Sequence, residues 1–260
     1  MQKIAIIGAG NVGGQVALSL IGEGAPHLAL LDVADGLAKG KALDLEDAAS
    51  VLKRDCKIEA GSDFSLLKDA GIIVVTAGLA RKPGMSRDDL LKKNSEIVKG
   101  VSSRIKQYAV NPIVIVITNP VDLMTYLAAE ATGFDKNRVF GMGVSLDGAR
   151  FANLIHNELQ APVSHIEAVV IGSHGQTMVP APHMTKVSGA RLERLVDKKI
   201  LGHLVKSTVE RGASIVAHLG SGSAYFGPAA AAACLVRAIV KDEKRIIGAC
   251  AYVNGEYGIK

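Results

Sequence analysis

The chain has 260 residues, 48% of them hydrophobic and 21% charged, which is enough apolar material for two substantial cores and excludes a disordered segment. Its net charge of +5 comes from 30 basic residues interleaved with 25 acidic ones, without a Lys/Arg run, Trp is absent and aromatics are 4%, so a nucleic-acid partner is not expected. The longest apolar runs, such as Ile113–Ile117 and Pro228–Val236, fall far short of the roughly 20 residues of a membrane-spanning helix. Residues 1–3 lead into a strand with no leader pattern. Cys56, Cys234 and Cys250 are scattered and odd in number, which fits reduced thiols better than disulfides or a metal site. Together these features point to a cytoplasmic protein that avoids membranes, whose mild positive potential suits anionic small molecules.

The first half alternates β-rich runs with amphipathic segments, the pattern of parallel βαβ units. Strands are expected at Lys3–Ile7, His27–Asp32, Lys57–Ala60, Ile72–Ala77 and Pro112–Thr118, and helices at Val12–Ile21, Leu37–Leu52 and about Asp88–Lys106. The alternation ends near Phe140–Gly143, which divides the chain into residues 1–143 and 144–260. In the second part we expect a helix from Leu146 to about Glu158, a strand Ile166–Ile171, a helix around Arg191–Arg211, an Ala-rich helix after Tyr225 and a strand Arg245–Tyr252. No linker separates the two parts.

Between the first strand and first helix lies Gly8-Ala9-Gly10-Asn11-Val12-Gly13, a G-x-G-x-x-G. Gly8 permits the tight turn, Gly10 lets a pyrophosphate approach the backbone, and Gly13 lets helix pack on strand, with the helix N-terminus facing the phosphates. Asp32 ends the second strand, 19 residues after Gly13, close to the spacing of about 20 for the acid that binds the adenosine ribose. Its bland reading is a turn with Asp35 and Gly36. A carboxylate there favours NAD over NADP, whose added phosphate it would repel.

Arg81 and Arg87 lie six residues apart on the Gly- and Pro-bearing segment 78–94 that follows the apolar run Gly71–Ala77. A loop beyond the carboxyl end of a strand can cover a ligand, and two cations there suit a small anion; solvated loop charges are the simpler account. Asn119, in Thr118-Asn119-Pro120-Val121-Asp122, either stops a strand in an Asn-Pro turn or holds cofactor and substrate groups in register. Asp147 and Arg150 share one face of a helix, as a surface ion pair or as part of a site. His174 follows an apolar strand among small residues, where a ligand can approach; an orienting Asp is plausible but not provable from spacing.

IGAGNVG, LLD, TAGLARKPGMSRDDLLKKN, VITNPVD, LDGARF, GSHGQTMVP, GSAYFGPAAA and NGEYGIK occur in an order and spacing that resemble the NAD-dependent malate dehydrogenases of the lactate-dehydrogenase-like type. The resemblance covers the whole chain. It implies an α/β fold, a Rossmann doubly wound parallel sheet followed by an α+β catalytic domain, and a soluble homo-oligomeric oxidoreductase of the tricarboxylic acid cycle. His174 resembles the family's general acid/base and Asp147 its orienting carboxylate. Arg150 looks like the partner of the substrate carboxylate beside the reacting carbon, and Arg87 like the loop arginine that polarises the carbonyl. Asn119 resembles a residue of the cofactor and substrate site, and Asn94 joins Gly8, Gly10, Asn11, Val12, Gly13 and Asp32 among the cofactor-binding positions. Arg81 falls where malate enzymes carry arginine and lactate enzymes usually carry glutamine, so it is expected to grip the second carboxylate of malate or oxaloacetate.

Gln176 and Gly148 depart from the family's usual acidic residue and serine without touching the catalytic identities. Family members continue for about 50 residues past the segment resembling NGEYGIK, so ending at Lys260 implies a second domain short of part of its core. The rival readings are a lactate dehydrogenase, which predicts a neutral side chain at position 81, and a noncatalytic NAD-binding protein.

Overall fold

The structure, a computed structural model, describes residues 3–79 and 87–258, with only the backbone of Arg87. Two compact units make up the chain: residues 1–142, 225–245 and 251–260 form the first, and residues 143–224 and 246–250 the second.

In the first unit, five-residue apolar runs without internal Gly or Pro form β1 (Lys3–Ile7) and β2 (His27–Leu31), separated by α1 (Asn11–Gly22). Then follow α2 (Asp35–Val51), β3 (Lys57–Gly61), β4 (Ala70–Val75), α3 (Arg87–Tyr108), β5 (Ile113–Val116), α4 (Val121–Thr132) and β6 (Val139–Gly141). The strands lie in the order β3-β2-β1-β4-β5-β6, and every pair is parallel. Strand order reverses between β1 and β4, whose carboxyl ends therefore flank the crevice where an open α/β sheet takes its ligand. One face of the sheet packs Ile73, Val75, Val114 and Val116 against Val98 and Ile105 of α3 and Met124 and Ala128 of α4. Near-continuous Val/Ile runs suit strands covered on both sides.

The second unit contains α5 (Val144–Leu159), the short strands β7 (Ile166–Glu167), β8 (Val170–Ile171), β9 (Val179–Pro180), β10 (Lys186–Val187) and β11 (Ala190–Arg191), and α6 (Lys198–Leu219). β11-β10-β7 and β8-β9 form two small antiparallel sheets. Phe151, Ile155, Val170, Met178, Val187, Leu192 and Leu204 make its core.

Several expectations change. The expected strand 166–171 splits in two because the Val169 amide donates to Thr185 Oγ1 (3.1 Å) and its carbonyl accepts from Ala181 (2.9 Å), which removes it from the β7 ladder. The helix expected at 191–211 begins at Lys198, capped by Asp197 Oδ1 accepting from the Ile200 amide, and runs to Leu219, where Gly220 takes a positive φ. Only Cys250–Ala251 (β12) is extended in the expected strand 245–252. Helix α4 carries no expectation from the sequence, since the Asn-Pro turn before it hides its start.

Helix α7 (Phe226–Val240) belongs to the first compact unit, although the chain passes through the second before reaching it. It packs on α1 through a buried face of small residues, Ala229, Ala232 and Ala233, which lets the two helices approach closely. Arg237 ties it down, donating to Glu23 (3.3 Å), the C-cap residue of α1, and to Glu243 (2.9 Å).

Candidate active site

In the first unit, the three motif glycines are glycine for different reasons. Gly8 has φ +107°, and a Cβ there would lie 2.6 Å from Thr76 Oγ1 and 2.7 Å from the Ala77 amide nitrogen. A Cβ on Gly13 would lie 1.8 Å from the Gly8 carbonyl oxygen. Both are explained by the protein's own packing. Among the described residues a Cβ on Gly10 would meet nothing within 4 Å, which leaves space for a ligand to approach the backbone. Thr76 secures the turn: its hydroxyl donates to the Gly8 carbonyl (2.9 Å) at the end of β4. The sequence signal for it is a small hydroxyl residue closing an apolar strand opposite the glycine-rich turn.

Asn11 and Val12 open α1 without a side-chain cap or an acidic residue in the first turn, so the positive end of the helix remains for an anion. Asp32 sits beside the same turn. Its Oδ2 accepts from the Ala9 amide (2.7 Å) and its Oδ1 from the Ala34 amide (3.0 Å), which holds the carboxylate still and leaves lone pairs for hydroxyl donors. Glycine without a packing reason, an uncapped helix start and a fixed carboxylate fit a dinucleotide.

Asn94 is buried, and its amide is committed to backbone: Oδ1 accepts from Leu79 (2.8 Å), while Nδ2 donates to the carbonyls of Leu79 (3.3 Å) and Asn119 (2.8 Å). These bonds fix the positions of Leu79 and Asn119 relative to α3. Asn119 itself is exposed; its Oδ1 accepts from Val121 (3.3 Å). Arg81 lies outside the described residues, as does the side chain of Arg87, whose backbone opens α3.

In the second unit, Asp147 on α5 is 0% exposed and joins two cation-forming side chains. Its Oδ2 lies 2.7 Å from His174 Nδ1, and its Oδ1 accepts from Arg150 Nη1 (3.1 Å). Gly172 (φ +83°) and Gly175 (φ +153°) shape the turn after β8 that carries His174, and the hydroxyls of Ser173 and Thr177 close it. A carboxylate without water is costly unless paired, so burial makes these two partners obligatory. Nδ1 is the ring nitrogen turned to Asp147, which fixes the orientation of the imidazole. Gly212 on α6 leaves room beside the Arg150 guanidinium, where a Cβ would lie 3.5 Å from Nη1. Because Nη1 serves Asp147, the Nε–Nη2 edge of Arg150 keeps the fork geometry that matches a carboxylate. No cluster of metal-ligating side chains occurs among the described residues.

The family profile for the lactate/malate dehydrogenase NAD binding domain matches residues 2–141, and that for the lactate/malate dehydrogenase alpha/beta C-terminal domain matches residues 144–260. The chain belongs to the lactate/malate dehydrogenase family. It is 45% identical over 260 residues to the malate dehydrogenase of Methanosarcina mazei, spanning 100% of this chain and 85% of that protein. The apo malate dehydrogenase of Picrophilus torridus superposes with a TM-score of 0.95 at 41% identity, over 98% of this chain and 81% of that one. A lactate dehydrogenase from Eimeria maxima, solved with NADH and oxamate, gives a TM-score of 0.95 at 32% identity, over 99% of this chain and 80% of that one. Backbone likeness is thus equal for these two structures, while sequence identity is higher for the malate dehydrogenase. Membership makes the chain an NAD-dependent 2-hydroxy acid oxidoreductase. Among the described residues no helix is long and apolar enough to cross a membrane.

Proposed function

We propose that this chain interconverts (S)-malate and oxaloacetate, and that His174, Asp147 and Arg150 carry the chemistry. The observation supporting this most directly is the buried Asp147 carboxylate, held at 2.7 Å from His174 Nδ1 and at 3.1 Å from Arg150 Nη1. One residue thereby orients both the group that moves a proton and the group that receives a carboxylate.

Bound NAD would supply the two-electron chemistry, as acceptor of the hydride equivalent that leaves C2 of malate. Gly8, Gly10, Asn11, Val12 and Gly13 would hold its pyrophosphate, Asp32 would accept from its ribose hydroxyls, and Asn94, which fixes the backbone of Leu79 and Asn119, would help to shape its site. Arg150 pairs with the carboxylate next to C2. Neutral His174 takes the C2 hydroxyl proton on Nε2, and the Asp147 charge stabilises the imidazolium that results. Arg87 counters charge on the C2 oxygen as the O–H bond breaks. Arg81 pairs with the distal carboxylate, and the Asn119 amide holds substrate and cofactor groups in register. In the reverse direction His174 returns the proton to the oxygen of oxaloacetate. A homo-oligomer in the cytoplasm, serving the tricarboxylic acid cycle, goes with this reading on the strength of the family resemblance.

Arg81 favours malate over lactate, because a cation facing a methyl group would be left unpaired. The test is NADH absorbance in the presence of oxaloacetate or pyruvate. Oxaloacetate should drive NADH oxidation much faster than pyruvate; a pyruvate preference would make the chain a lactate dehydrogenase, and NADH binding without turnover of either would make it a binding protein.

A further inference from the structure

Lys41 stands on α2, half-buried, with its ammonium on the glycine-rich turn. Nζ donates to the Gly10 carbonyl (3.1 Å), which already accepts the Gly14 amide (3.0 Å), so the lysine takes the remaining acceptor site of that oxygen. Its stem crosses Gly14, where a Cβ would lie 3.1 Å from Nζ and 3.4 Å from Cδ. No carboxylate pairs with it among the described residues, whereas Lys39 on the same helix is paired with Asp35 at 2.7 Å.

This placement is unfavourable for the protein alone. The start of α1 is the positive end of that helix, it has no acidic residue in its first turn, and a cation there is repelled. A carbonyl bond offsets part of that repulsion; an anion beside the turn reverses its sign. Asp32 supplies the complementary observation, since it holds the Ala9 amide at 2.7 Å while Lys41 holds the carbonyl of the next residue, Gly10. A carboxylate and an ammonium thus bracket the dipeptide Ala9-Gly10, whose exposed Gly10 leads into the exposed Asn11. Hydroxyl groups suit the carboxylate side, and phosphate suits the ammonium side.

We infer that Lys41 is a phosphate-recognition residue for the dinucleotide, orienting the Gly10 carbonyl and adding a full positive charge to the partial charges of the α1 amides. The inference rests on the dinucleotide lying at the Gly8–Gly13 turn.

The experiment is calorimetric titration of the full chain and its Lys41→Gln and Lys41→Arg variants with ADP and with adenosine, at low and high salt. Glutamine keeps a donor for Gly10 but loses the charge. We expect Lys41→Gln to weaken ADP by about five- to tenfold, to leave adenosine within about twofold, and to flatten the salt dependence, with Lys41→Arg close to the parent. Parent-like ADP affinity in Lys41→Gln would overturn the inference. So would an equal loss for ADP and adenosine, which marks a distorted turn and not a lost charge. An Asp32→Ser control separates the two levels: if it leaves NADH affinity unchanged, the dinucleotide does not lie at this turn and the assignment of Lys41 falls with it.

Discussion

His174 Nδ1 and Asp147 Oδ2 lie 2.7 Å apart, although 27 residues separate them in the chain, and the carboxylate is closed to water. An imidazolium formed in the reaction therefore meets a full negative charge that no solvent screens. We expect His174→Asn and Asp147→Asn each to lower kcat by about 10²–10⁴-fold while leaving NADH affinity near that of the parent. Stopped-flow turnover with fluorescence titration of NADH checks both; near-parent turnover in His174→Asn would remove it from the mechanism.

Gly10 and Gly13 should respond oppositely to alanine. At Gly10 the added methyl meets no atom of the described residues, so Gly10→Ala should change stability by less than about 0.5 kcal/mol yet weaken NADH at least about tenfold. At Gly13 the methyl would lie 1.8 Å from the Gly8 carbonyl oxygen, so Gly13→Ala should cost about 1–3 kcal/mol as the turn gives way. Urea unfolding and NADH titration on both variants give the comparison. Unimpaired NADH binding by Gly10→Ala would deny that a ligand needs that space.

Arg81→Gln should change substrate choice. Left without its partner, the distal carboxylate of oxaloacetate costs roughly 3–5 kcal/mol, or about 10²–10⁴ in kcat/KM. Pyruvate lacks that group and should gain instead, so the preference should collapse or invert, while Arg87→Gln should slow both substrates alike. Equal loss of both substrates in Arg81→Gln would take away the physical basis for malate.

Glu59 binds the first three strands together through its carboxylate. Lys3 (2.7 Å), Lys57 (3.0 Å) and His27 (2.7 Å) converge on it, and these partners, Lys3 foremost, hold its pKa down to about 2 from the ordinary 4.5. A depressed carboxylate stabilises the fold fully above the unfolded value and loses that contribution as pH falls from about 4.5 toward about 2. Allowing for partial exposure, Glu59→Gln should cost about 2 kcal/mol at neutral pH, and the gap to the parent should shrink by pH 3. A gap independent of pH would mean that the carboxylate's charge is not what matters.

The local features of this chain were legible in its order of residues. The glycine turn, the acid ending β2 and the Val/Ile strands are short-range patterns, and each carries its physical reason within a few positions: a backbone angle, a helix start, a buried ladder. Arg81 and Arg87 stand out in the same way, as charges on a Gly/Pro segment after a strand. Family resemblance extended this to the pairing of His174 with Asp147, which spacing alone left open.

Tertiary structure decided what depends on partners far along the chain. Asn94 reads as a polar residue on a helix, and only folding shows its amide consumed by Leu79 and Asn119. Residues 166–171 read as one strand, and Thr185 and Ala181 break it by claiming Val169. Helix α7 follows the second unit along the chain, and its packing on α1 groups it with the first. Lys41 is one lysine among many until its ammonium is seen on Gly10, 31 residues away. Local propensity sets which backbone shapes are cheap; hydrogen-bond satisfaction and close packing between distant segments choose among them, because a buried polar group must find its partner wherever the fold brings one.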